Sequence, residues 1–511
     1  MRGRGSRVVR RATSIPRVTA APASSPTALQ ALRSPRLLTT EVLAGAVTTL
    51  ALIPEVISFS VIAGVDPKVS LIASVVLAIS MTFLGGRPAM ITAAAGAVAL
   101  VVAPLVHTHG VQYLLPTVIL AGLVQIAFGL IGLARIMRFI PRSVMIGFVN
   151  ALGILIFTAQ LPHVLDVPAA VYPLFALTLV VVLVLPRFVK VVPAPLIAIV
   201  LVTAIAMIGH LTVPTVGDQG AVAGGLPGLT PLEVPLTLET LQLIAPTALS
   251  VAFVGLMETL LTAKLVDDLT DSRSSKSRES WALGVANILA GMWGGIAGCA
   301  MIGQTVMNVK LGRARTRIST LVAGVLLLIL VTVLSDLMEQ IPMAALAAVM
   351  MVVAVSTVDF HSVRPATLKR MPLSETLVMV TTVVVVVLTS NLALGVAAGA
   401  LLAVALFARR VAHVTRVERT TGADGTRYSV HGPLFFGSSN DLVEQFDYAA
   451  DAERGLPVVV DFTAAQIWDA STVAVLDSVQ AKYAEHGLEV AFTGLDERSS
   501  LFHGRLTGTL G

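Results

Sequence analysis

Cysteine is almost absent from this sequence: the 511 residues include only Cys299. A single cysteine excludes an internal disulfide bond and any metal site made of several cysteines. The nine histidines show no H-x-x-x-H or H-E-x-x-H spacing, so the sequence gives no support for a zinc site. In its glycine-rich surroundings Cys299 is expected to be a small packing residue, with a reactive thiol as the alternative.

Charged residues are also scarce, at 13% of the chain against 55% hydrophobic residues. With a mean hydropathy of +0.87, this composition excludes an ordinary soluble protein and indicates many membrane spans. Phosphate-binding loops, nucleophile elbows and ATPase motifs are missing, which argues against an enzyme and against a primary pump. The isoelectric point near 9.5 does not indicate nucleic-acid binding, because the basic residues are concentrated in the N-terminal tail and in alternate short loops.

Acidic residues are missing from the first 40 positions, where arginine is frequent. We predict that residues 1–40 form a disordered basic tail in the cytoplasm. An organellar transit peptide is the alternative, because such peptides are also rich in arginine and serine and poor in acids. The arginines of this tail are Arg2, Arg4, Arg7, Arg10, Arg11, Arg17, Arg33 and Arg36.

Apolar segments fill residues 41–408, which we predict to be an all-α transmembrane domain. About 20 apolar residues span a bilayer, and this rule gives fourteen segments. The third and the tenth are short and glycine-rich, like the broken helices from which transporters build binding sites at the membrane midplane. The segments are 42–64, 69–84, 88–106, 112–134, 140–160, 169–186, 193–213, 239–264, 280–296, 299–310, 318–335, 340–357, 373–390 and 393–408.

The charges of the loops predict the orientation in the membrane. If the N-terminus is cytoplasmic, Lys68 is the one basic residue in the outer loops, as the positive-inside rule requires. Both termini are then cytoplasmic, and the chain is a multi-pass protein of the plasma (inner) membrane, surrounded by lipid. The inner loops hold Arg87, Arg135, Arg138, Arg142, Arg187, Lys190, Arg273, Lys276, Arg278, Lys310, Arg313, Arg315, Arg317, Arg364, Lys369 and Arg370.

The two weak segments occupy matching positions, since each is the third in a group of seven. Seven is odd, so the second group enters the membrane from the opposite side, which predicts a 7+7 inverted repeat. The segments GGRPAMITAAAG at Gly85–Gly96 and GGIAGCAMIGQT at Gly294–Thr305 both place Ala-Met-Ile shortly after Gly-Gly.

Beyond this domain, residues 409–425 are predicted to be a charged linker. Residues 426–511 alternate strand-like and helix-like segments, which predicts a small cytoplasmic α/β domain.

Four motifs resemble those of the SulP family of anion transporters, the sulfate-permease relatives of solute carrier family 26. The C-terminal domain resembles a STAS domain, with Asp-Ala-Ser at Asp469–Ser471. The resemblance implies core and gate domains in a 7+7 inverted repeat, a homodimer, and transport by an elevator-like shift. The motifs are ALIPEVISFSVIAGVDP at Ala51–Pro67, VGLMETLLTA at Val254–Ala263, GVANILAGMWGG at Gly284–Gly295 and GQTVMNVKLGRARTRIS at Gly303–Ser319.

The two half-helices predict the substrate site. If they meet at the midplane, their positive N-terminal ends form an anion site that needs no basic side chain. Small residues at these ends would let an anion reach the backbone N–H groups, although small residues also serve close helix packing. The predicted substrate-binding residues are Thr92, Ala93, Ala94 and Ala95 in the third segment and Met301, Ile302, Gly303 and Gln304 in the tenth.

Glu258 lies inside an apolar run, and acids at membrane depth usually face a cavity and have a function. The resemblance to sodium-coupled bicarbonate transporters implies that Glu258 and Thr262, four residues apart, are cation ligands, with Thr259 beside them and Glu in place of the commoner Asp. We therefore expect Na⁺ at Glu258 and Thr262, or protonation of Glu258, as the coupling device. A structural hydrogen bond is the alternative role for Glu258. No other cofactor is expected.

Glu55 is a second acid in an apolar run, with Ser58 and Phe59 one turn further along the helix. The family places substrate contacts along this helix, so these three residues are predicted to line the site. A position in a water-filled vestibule is the alternative for Glu55. The chain departs from relatives at Ala95, Ile302 and Gln304, which leaves the identity of the anion open.

In the C-terminal domain, Ser471 is predicted to cap a helix. The alternative is a regulatory role, because serines at this position are phosphorylated in STAS regulators of the anti-sigma-antagonist type. Asp469 and Ser471 would then form a loop that binds a cytoplasmic partner.

The function predicted for the whole chain is cation-coupled symport of a small inorganic anion of the sulfate or bicarbonate class. An uncoupled channel or exchanger, and an anion sensor that signals through the STAS domain, are the alternatives.

Overall fold

The computed structural model describes residues 26–132, 140–188, 192–219, 228–235, 237–412 and 415–507. The predictions made for the arginines up to Arg17 and for Arg135, Arg138 and Lys190 lie outside these ranges. The described membrane part begins with α1 (Ala28–Arg33), α2 (Pro35–Ala63), α3 (Pro67–Leu84), β1 (Thr92–Ala94), α4 (Gly96–His109), α5 (Leu114–Ile131), α6 (Arg142–Ala159), α7 (Val171–Val184) and α8 (Ala194–Ile208). It continues with α9 (Leu238–Thr270), α10 (Lys276–Gly291), β2 (Gly298–Ala300), α11 (Ile302–Val306), α12 (Arg317–Val333), α13 (Ser335–Glu339), α14 (Met343–Thr357), α15 (Pro365–Leu368), α16 (Leu373–Thr389) and α17 (Leu392–Ala412).

Helical structure starts earlier than the sequence predicted. Thr27 and Gln30 form a capping box that begins α1, and α2 begins at Pro35, a residue whose missing N–H is harmless in the first helical turn. The disordered tail predicted for residues 1–40 is therefore wrong for residues 28–40, apart from the break at Ser34. The arginines of this stretch had suggested a tail, but arginine is a good helix former.

The membrane part is helical, as predicted, and a helix lies in each of the predicted apolar segments. Within the described residues, six helices are long and apolar enough to cross a bilayer, and six further apolar helices have 10–17 residues. α4 is among the shorter ones, and α11 has only five residues before a π-helical turn, Met307–Leu311. The two segments that looked weak in the sequence are thus the two in which a short strand precedes a short helix.

These two strands pair with each other. β1 and β2 are antiparallel, with Thr92 opposite Ala300, Ala93 opposite Cys299 and Ala94 opposite Gly298. In each half of the membrane part the order is the same: a long helix, a strand, and a helix that starts within two residues of the strand. Two equivalent strands that pair antiparallel are what an inverted repeat produces, because its symmetry axis lies in the membrane plane.

The helices around the strand pair are held close by small residues. A Cβ atom on Gly122 of α5 would lie 2.6 Å from the carbonyl oxygen of Gly284 in α10, and the converse clash is as severe. α10 also packs on α3 and α9, while α12 packs on α2 and α3. A second group consists of α7, α8 and α14, which pack on one another. Glycine is favoured at such contacts because membrane helices associate through close packing rather than through the hydrophobic effect.

A cluster of charged residues ties together the ends of α3, α9 and α10. Arg87 forms an ion pair of 3.0 Å with Asp267, which also contacts Lys276 at 2.7 Å. Arg87 further donates to Ser272 at 2.7 Å, and the Glu279 carboxylate accepts its backbone N–H at 2.8 Å. Arg87 and Glu279 are buried, so their charges depend on these partners.

The C-terminal domain contains a four-stranded sheet in the order β3-β4-β5-β6. β3 and β4 form an antiparallel hairpin, whereas β4, β5 and β6 are parallel neighbours. Buried Tyr428, Phe462, Leu476 and Tyr483 are among the core residues between sheet and helices. The elements are β3 (Arg416–Gly422), β4 (Gly425–Leu434), α18 (Phe436–Ser439), α19 (Tyr448–Arg454), β5 (Val458–Ile467), α20 (Ala470–Glu485), β6 (Val490–Thr493) and α21 (Glu497–Leu506).

The linker predicted at 409–425 is wrong. α17 continues to Ala412, and residues 416–422 form the edge strand β3. Every residue of β3 except Val417 is exposed, so the strand lacks the alternation of apolar and polar residues by which strands are recognised in sequences. Charged residues on an edge strand discourage pairing with other chains, which accounts for the linker-like composition.

Candidate functional site

The centre of the site is the β1–β2 pair, from which two helices begin. Ala95 is the N-cap of α4 and Met301 is the N-cap of α11, and neither helix start has a side-chain cap. The first backbone N–H groups of both helices are therefore left without side-chain partners. Such groups, together with the helix dipole, attract an anion. The structure thus brings together the two stretches, 92–95 and 301–304, that the sequence singled out.

One face of α2 contacts both helix starts. The ring of Phe59 lies against Gly96, the first residue of α4, where a Cβ atom would be 2.6 Å from the ring. One turn earlier, Glu55 accepts a hydrogen bond from the side chain of Gln304 in α11. Ser58, between them on the same face, is buried. Glu55 and Phe59 therefore contact the two helix starts, and Ser58 lies on the same face of α2.

Two hydroxyl groups of the site are buried without a partner. These are Oγ of Ser58 and Oγ1 of Thr92, whose residues are 3% and 1% exposed. A buried hydroxyl that makes no hydrogen bond costs free energy. Both hydroxyls belong to residues predicted to bind substrate, and a bound anion would satisfy them.

The site is open on one side, at Gly303. This residue is exposed although its neighbours Gln304 and Thr305 are buried, and a Cβ atom there would have nothing within 4 Å. Glu55 and Ile302 are half-buried. The remaining predicted residues of the half-helices are buried, so Gly303 is the one exposed position among them.

Glu258, Thr259 and Thr262 of α9 lie against β2. The hydroxyl of Thr259 accepts the N–H of Ala300 at 3.0 Å, and that of Thr262 donates to the Ala300 carbonyl at 3.0 Å. The Glu258 carboxylate accepts a hydrogen bond of 2.9 Å from the thiol of Cys299. Carboxylate, hydroxyl and carbonyl oxygens are the ligands that hard cations prefer, and a cation here would be held by the Glu258 carboxylate and the hydroxyls of Thr259 and Thr262. Cys299 is a buried contact of Glu258, which the sequence did not reveal.

Three further polar side chains, not predicted from the sequence, bond backbone N–H groups in or beside the strand pair, and a fourth, that of Gln125, supports one of them. Asn287 accepts the N–H of Gly298 at 2.7 Å and donates to Gln125 at 2.9 Å. Ser74 accepts the N–H of Ala94 at 3.1 Å, and Thr305 accepts the N–H of Ile91 at 3.0 Å. A two-stranded sheet in a membrane leaves backbone groups open, and these side chains satisfy them. Their signal in the sequence is a polar residue inside an apolar segment.

A cleft of about 660 Å³ lies between α2 and the π-helical turn on one side and the start of α8 on the other. Leu43 and Val47 of α2 and Met307 and Leu311 of the turn face Ala194 of α8 across it. The turn continues α11, so the cleft adjoins the helix whose N-terminus belongs to the candidate anion site. The cleft thus lies between α2, which packs on the helices around the strand pair, and α8 of the second group.

In the C-terminal domain the helix cap differs from the prediction. Asp469 is the N-cap of α20, and its carboxylate accepts the N–H of Thr472 at 3.1 Å and that of Phe436 at 2.6 Å. Ser471 is the second residue of the helix and is exposed. The prediction that Ser471 caps this helix is therefore wrong. Asp is as good a cap as Ser, and Asp469 comes first in the chain.

Comparison with known proteins identifies the class. The model of the sulfate permease family matches residues 38–175 and 166–382, and that of the STAS domain matches residues 415–500. The chain belongs to the sulfate permease family and ends in a STAS domain, which confirms the resemblance seen in the sequence. The family is one of membrane transporters, so the chain is a multi-pass membrane protein and not an enzyme.

Particular relatives cover most of the chain. The putative sulfate transporter YbaR of Bacillus subtilis (strain 168) is 48% identical over 459 residues, which is 90% of this chain and 95% of that protein. The solved transmembrane domain of a cyanobacterium bicarbonate transporter, BicA, is 25% identical with a TM-score of 0.64, over 72% of this chain and 97% of its own. The murine Solute Carrier 26 family member A9 anion transporter, in its inward-facing state, is 17% identical with a TM-score of 0.79, over 98% of this chain and 96% of its own. The last likeness confirms the fold.

Proposed function

We propose that this protein is a secondary active transporter that couples the uptake of a small inorganic oxyanion to a cation, Na⁺ or H⁺. Anion transport follows from membership of the family, whose curated relatives are named for sulfate or bicarbonate transport. The observation that carries the proposal is that two uncapped helix starts meet at one strand pair, which Glu258 contacts through Cys299.

The anion side of the site uses dipoles and hydroxyls. Backbone N–H groups at Gly96 and Gly303 offer donors, and so do the hydroxyls of Ser58 and Thr92, which are buried away from water. Dipoles in such surroundings stabilise an anion without trapping it as strongly as a fixed positive charge would. A transporter needs this balance, because the anion must also leave.

The cation side is Glu258. A carboxylate buried in the membrane is costly when charged and alone, and a bound Na⁺ or a proton removes that cost. Thr259 and Thr262 connect Glu258 to the strand β2, which leads directly into the helix start at Ile302. Neutralising Glu258 therefore lowers the negative potential beside the anion site, so that each ion favours binding of the other.

The movement is proposed to be an elevator-like shift of the helices around the strand pair against α7, α8 and α14. The cleft between α2 and the start of α8 supports it. Leu43 lines the cleft and is 60% exposed, so Leu43→Trp would fill space that the shift must close. We expect a lower maximal rate with unchanged half-saturation by the cation, whereas Leu201→Trp, at an exposed position of α8 outside the cleft lining, should leave both unchanged. Equal rates in the two variants would contradict the elevator.

The test of coupling is uptake into proteoliposomes of labelled bicarbonate and labelled sulfate, driven by an imposed Na⁺ or H⁺ gradient. Glu258→Gln should abolish the response to the gradient, while Glu239→Gln, an exposed position on the same helix, should keep it. Uptake that ignores both gradients would indicate a channel or an exchanger. Anion binding without uptake would indicate a sensor.

The assembly proposed for the cell is a homodimer in the plasma membrane with both termini in the cytoplasm. The loop charges support this orientation.

The STAS domain is proposed to meet a cytoplasmic partner at Asp469 and Ser471, where exposed Phe436 and Trp468 adjoin the helix start. Labelling of Cys residues introduced in the C-terminal domain, with a reagent that does not cross membranes, tests the side on which it lies.

A further inference from the structure

The anion site contains an acid. Glu55 lies on the face of α2 that contacts both helix starts, and it shares a hydrogen bond with Gln304, the third residue of α11. None of the ion pairs among the described residues involves Glu55. A half-buried carboxylate without a basic partner is an unusual neighbour for an anion, because like charges repel more strongly where water is scarce.

Hydrogen-bond chemistry limits which anions can lie beside this carboxylate. An ionised carboxylate only accepts hydrogen bonds, and sulfate also has only acceptor oxygens. Two acceptors in contact need a hydrogen between them. An oxyanion that carries its own hydroxyl group, such as hydrogencarbonate, supplies that hydrogen and still presents two oxygens to donors.

The hydrogen-bond donors of the site match the oxygens of such an anion. Ser58 and Thr92 each have a buried hydroxyl without a partner, and the starts of α4 and α11 have no side-chain caps. These groups suit the oxygens of an anion, and the Glu55 carboxylate suits a hydroxyl. The site therefore offers several donors and one strong acceptor, rather than donors alone.

We propose that Glu55 is a specificity-determining residue, which selects oxyanions that bear a hydroxyl hydrogen over oxyanions that have none. The inference rests on the proposed function and adds the class of substrate to it. Glu55 binds the hydroxyl of the substrate, while the helix starts and the two free hydroxyls bind its remaining oxygens. Sites that hydrogen-bond one group of a substrate reject analogues without that group, because a buried partner is then left unpaired.

Nitrate is the most informative probe, since it has the planar shape and the single charge of hydrogencarbonate but no hydrogen. Uptake of labelled bicarbonate into proteoliposomes is measured in the presence of increasing nitrate or sulfate. For the wild-type protein we expect unlabelled bicarbonate to compete at least roughly tenfold better than nitrate. Equal competition by nitrate would overturn the proposal, and this measurement needs no variant.

Glu55→Gln supplies the second arm, because glutamine has the same shape and an amide that can donate. In this variant we expect nitrate and sulfate to compete better and bicarbonate to bind roughly tenfold less well. The control variant Glu239→Gln should behave like the wild type. Unchanged selectivity in Glu55→Gln would overturn this inference and leave the proposed function intact. The inference would also be overturned if sulfate uptake rose as the pH fell and disappeared in Glu55→Gln. The hydrogen between Glu55 and the anion would then come from the solution and not from the substrate. Absence of any uptake by the wild type would overturn the proposed function itself.

Discussion

The thiol of Cys299 donates a hydrogen bond of 2.9 Å to Oε2 of Glu258. Cys299 is the central residue of β2, opposite Ala93 of β1, so this bond joins the proposed cation ligand to the strand pair of the proposed anion site. Both residues are buried, which makes a lost partner costly. The only cysteine of the chain therefore has a specific neighbour, and the expectation of a mere packing residue was incomplete.

Cys299→Ala removes this donor and should weaken cation binding. The thiol is a weak donor, so its hydrogen bond contributes about 1 kcal/mol, and we expect the half-saturating concentration of the coupling cation to rise about fivefold. The maximal rate should change little. Cys299→Ser, which keeps a donor, should restore most of the affinity. Equal impairment in both variants would point to packing as the role of the sulfur.

The strand pair leaves no room for a side chain at Gly298. A Cβ atom there would overlap the carbonyl oxygen of Ala93 and the side chain of Leu77. We expect Gly298→Ala to separate the strands and to lower stability by about 1–3 kcal/mol, as overpacking usually does. Gly303→Ala is the matched control, because nothing lies within 4 Å of its Cβ position. Thermal unfolding of the purified protein in detergent, followed for both variants, checks the difference.

The sequence predicted the membrane segments and the two half-helices well, because hydropathy and glycine content are local properties. It did not predict the β1–β2 pair. Residues such as Ala93 and Cys299 have no alternating pattern, and the partners are about 200 positions apart. It also missed Asn287, whose role appears only when the open backbone groups of the pair are counted. The strand 416–422 was missed because its composition is that of a linker.

The charged cluster at the ends of α3, α9 and α10 makes a prediction about stability. Asp267→Asn would leave buried Arg87 without its ion pair of 3.0 Å. An unpaired buried charge is strongly destabilising, but Asp267 is itself partly exposed, so we expect a loss of about 2 kcal/mol. Asp268→Asn changes the exposed neighbour and should have no effect. Similar melting temperatures for the two variants would show that the ion pair contributes little.

The cap of α20 separates the two predicted roles of the Asp-Ala-Ser motif. Asp469→Ala removes the side chain that accepts from Thr472 and Phe436 and should cost about 1 kcal/mol of stability in the STAS domain. Ser471→Ala should cost little, because Ser471 is exposed and is not the cap. The regulatory role belongs to Ser471 if only Ser471→Ala loses partner binding. The loss of a phosphate in Ser471→Ala alone, detected by mass spectrometry, would assign the same role.

Asp451 makes the stability of the STAS domain dependent on pH. Its buried carboxylate accepts hydrogen bonds from Tyr428 at 2.6 Å, Tyr483 at 2.9 Å and Arg419 at 2.5 Å. Burial alone would raise the pKa of Asp451, but these hydrogen bonds outweigh it and lower the pKa below its usual value. A carboxyl group with a lowered pKa stabilises the folded state above its unfolded pKa, about 3.9, and the stabilisation is lost as the pH falls through the folded pKa.

Asp451→Asn removes this charge and should cost about 2 kcal/mol at neutral pH. The difference from the wild type should stay constant down to about pH 5 and shrink below about pH 4. Urea unfolding of the full chain, followed by the fluorescence of Trp468 after Trp281→Phe and Trp293→Phe, reports on the STAS domain alone. Asp461→Asn, whose carboxylate is bonded to Thr463 at the surface, is the control and should cost less. A difference between wild type and Asp451→Asn that does not narrow in acid would show that the charge of Asp451 is not what stabilises the domain.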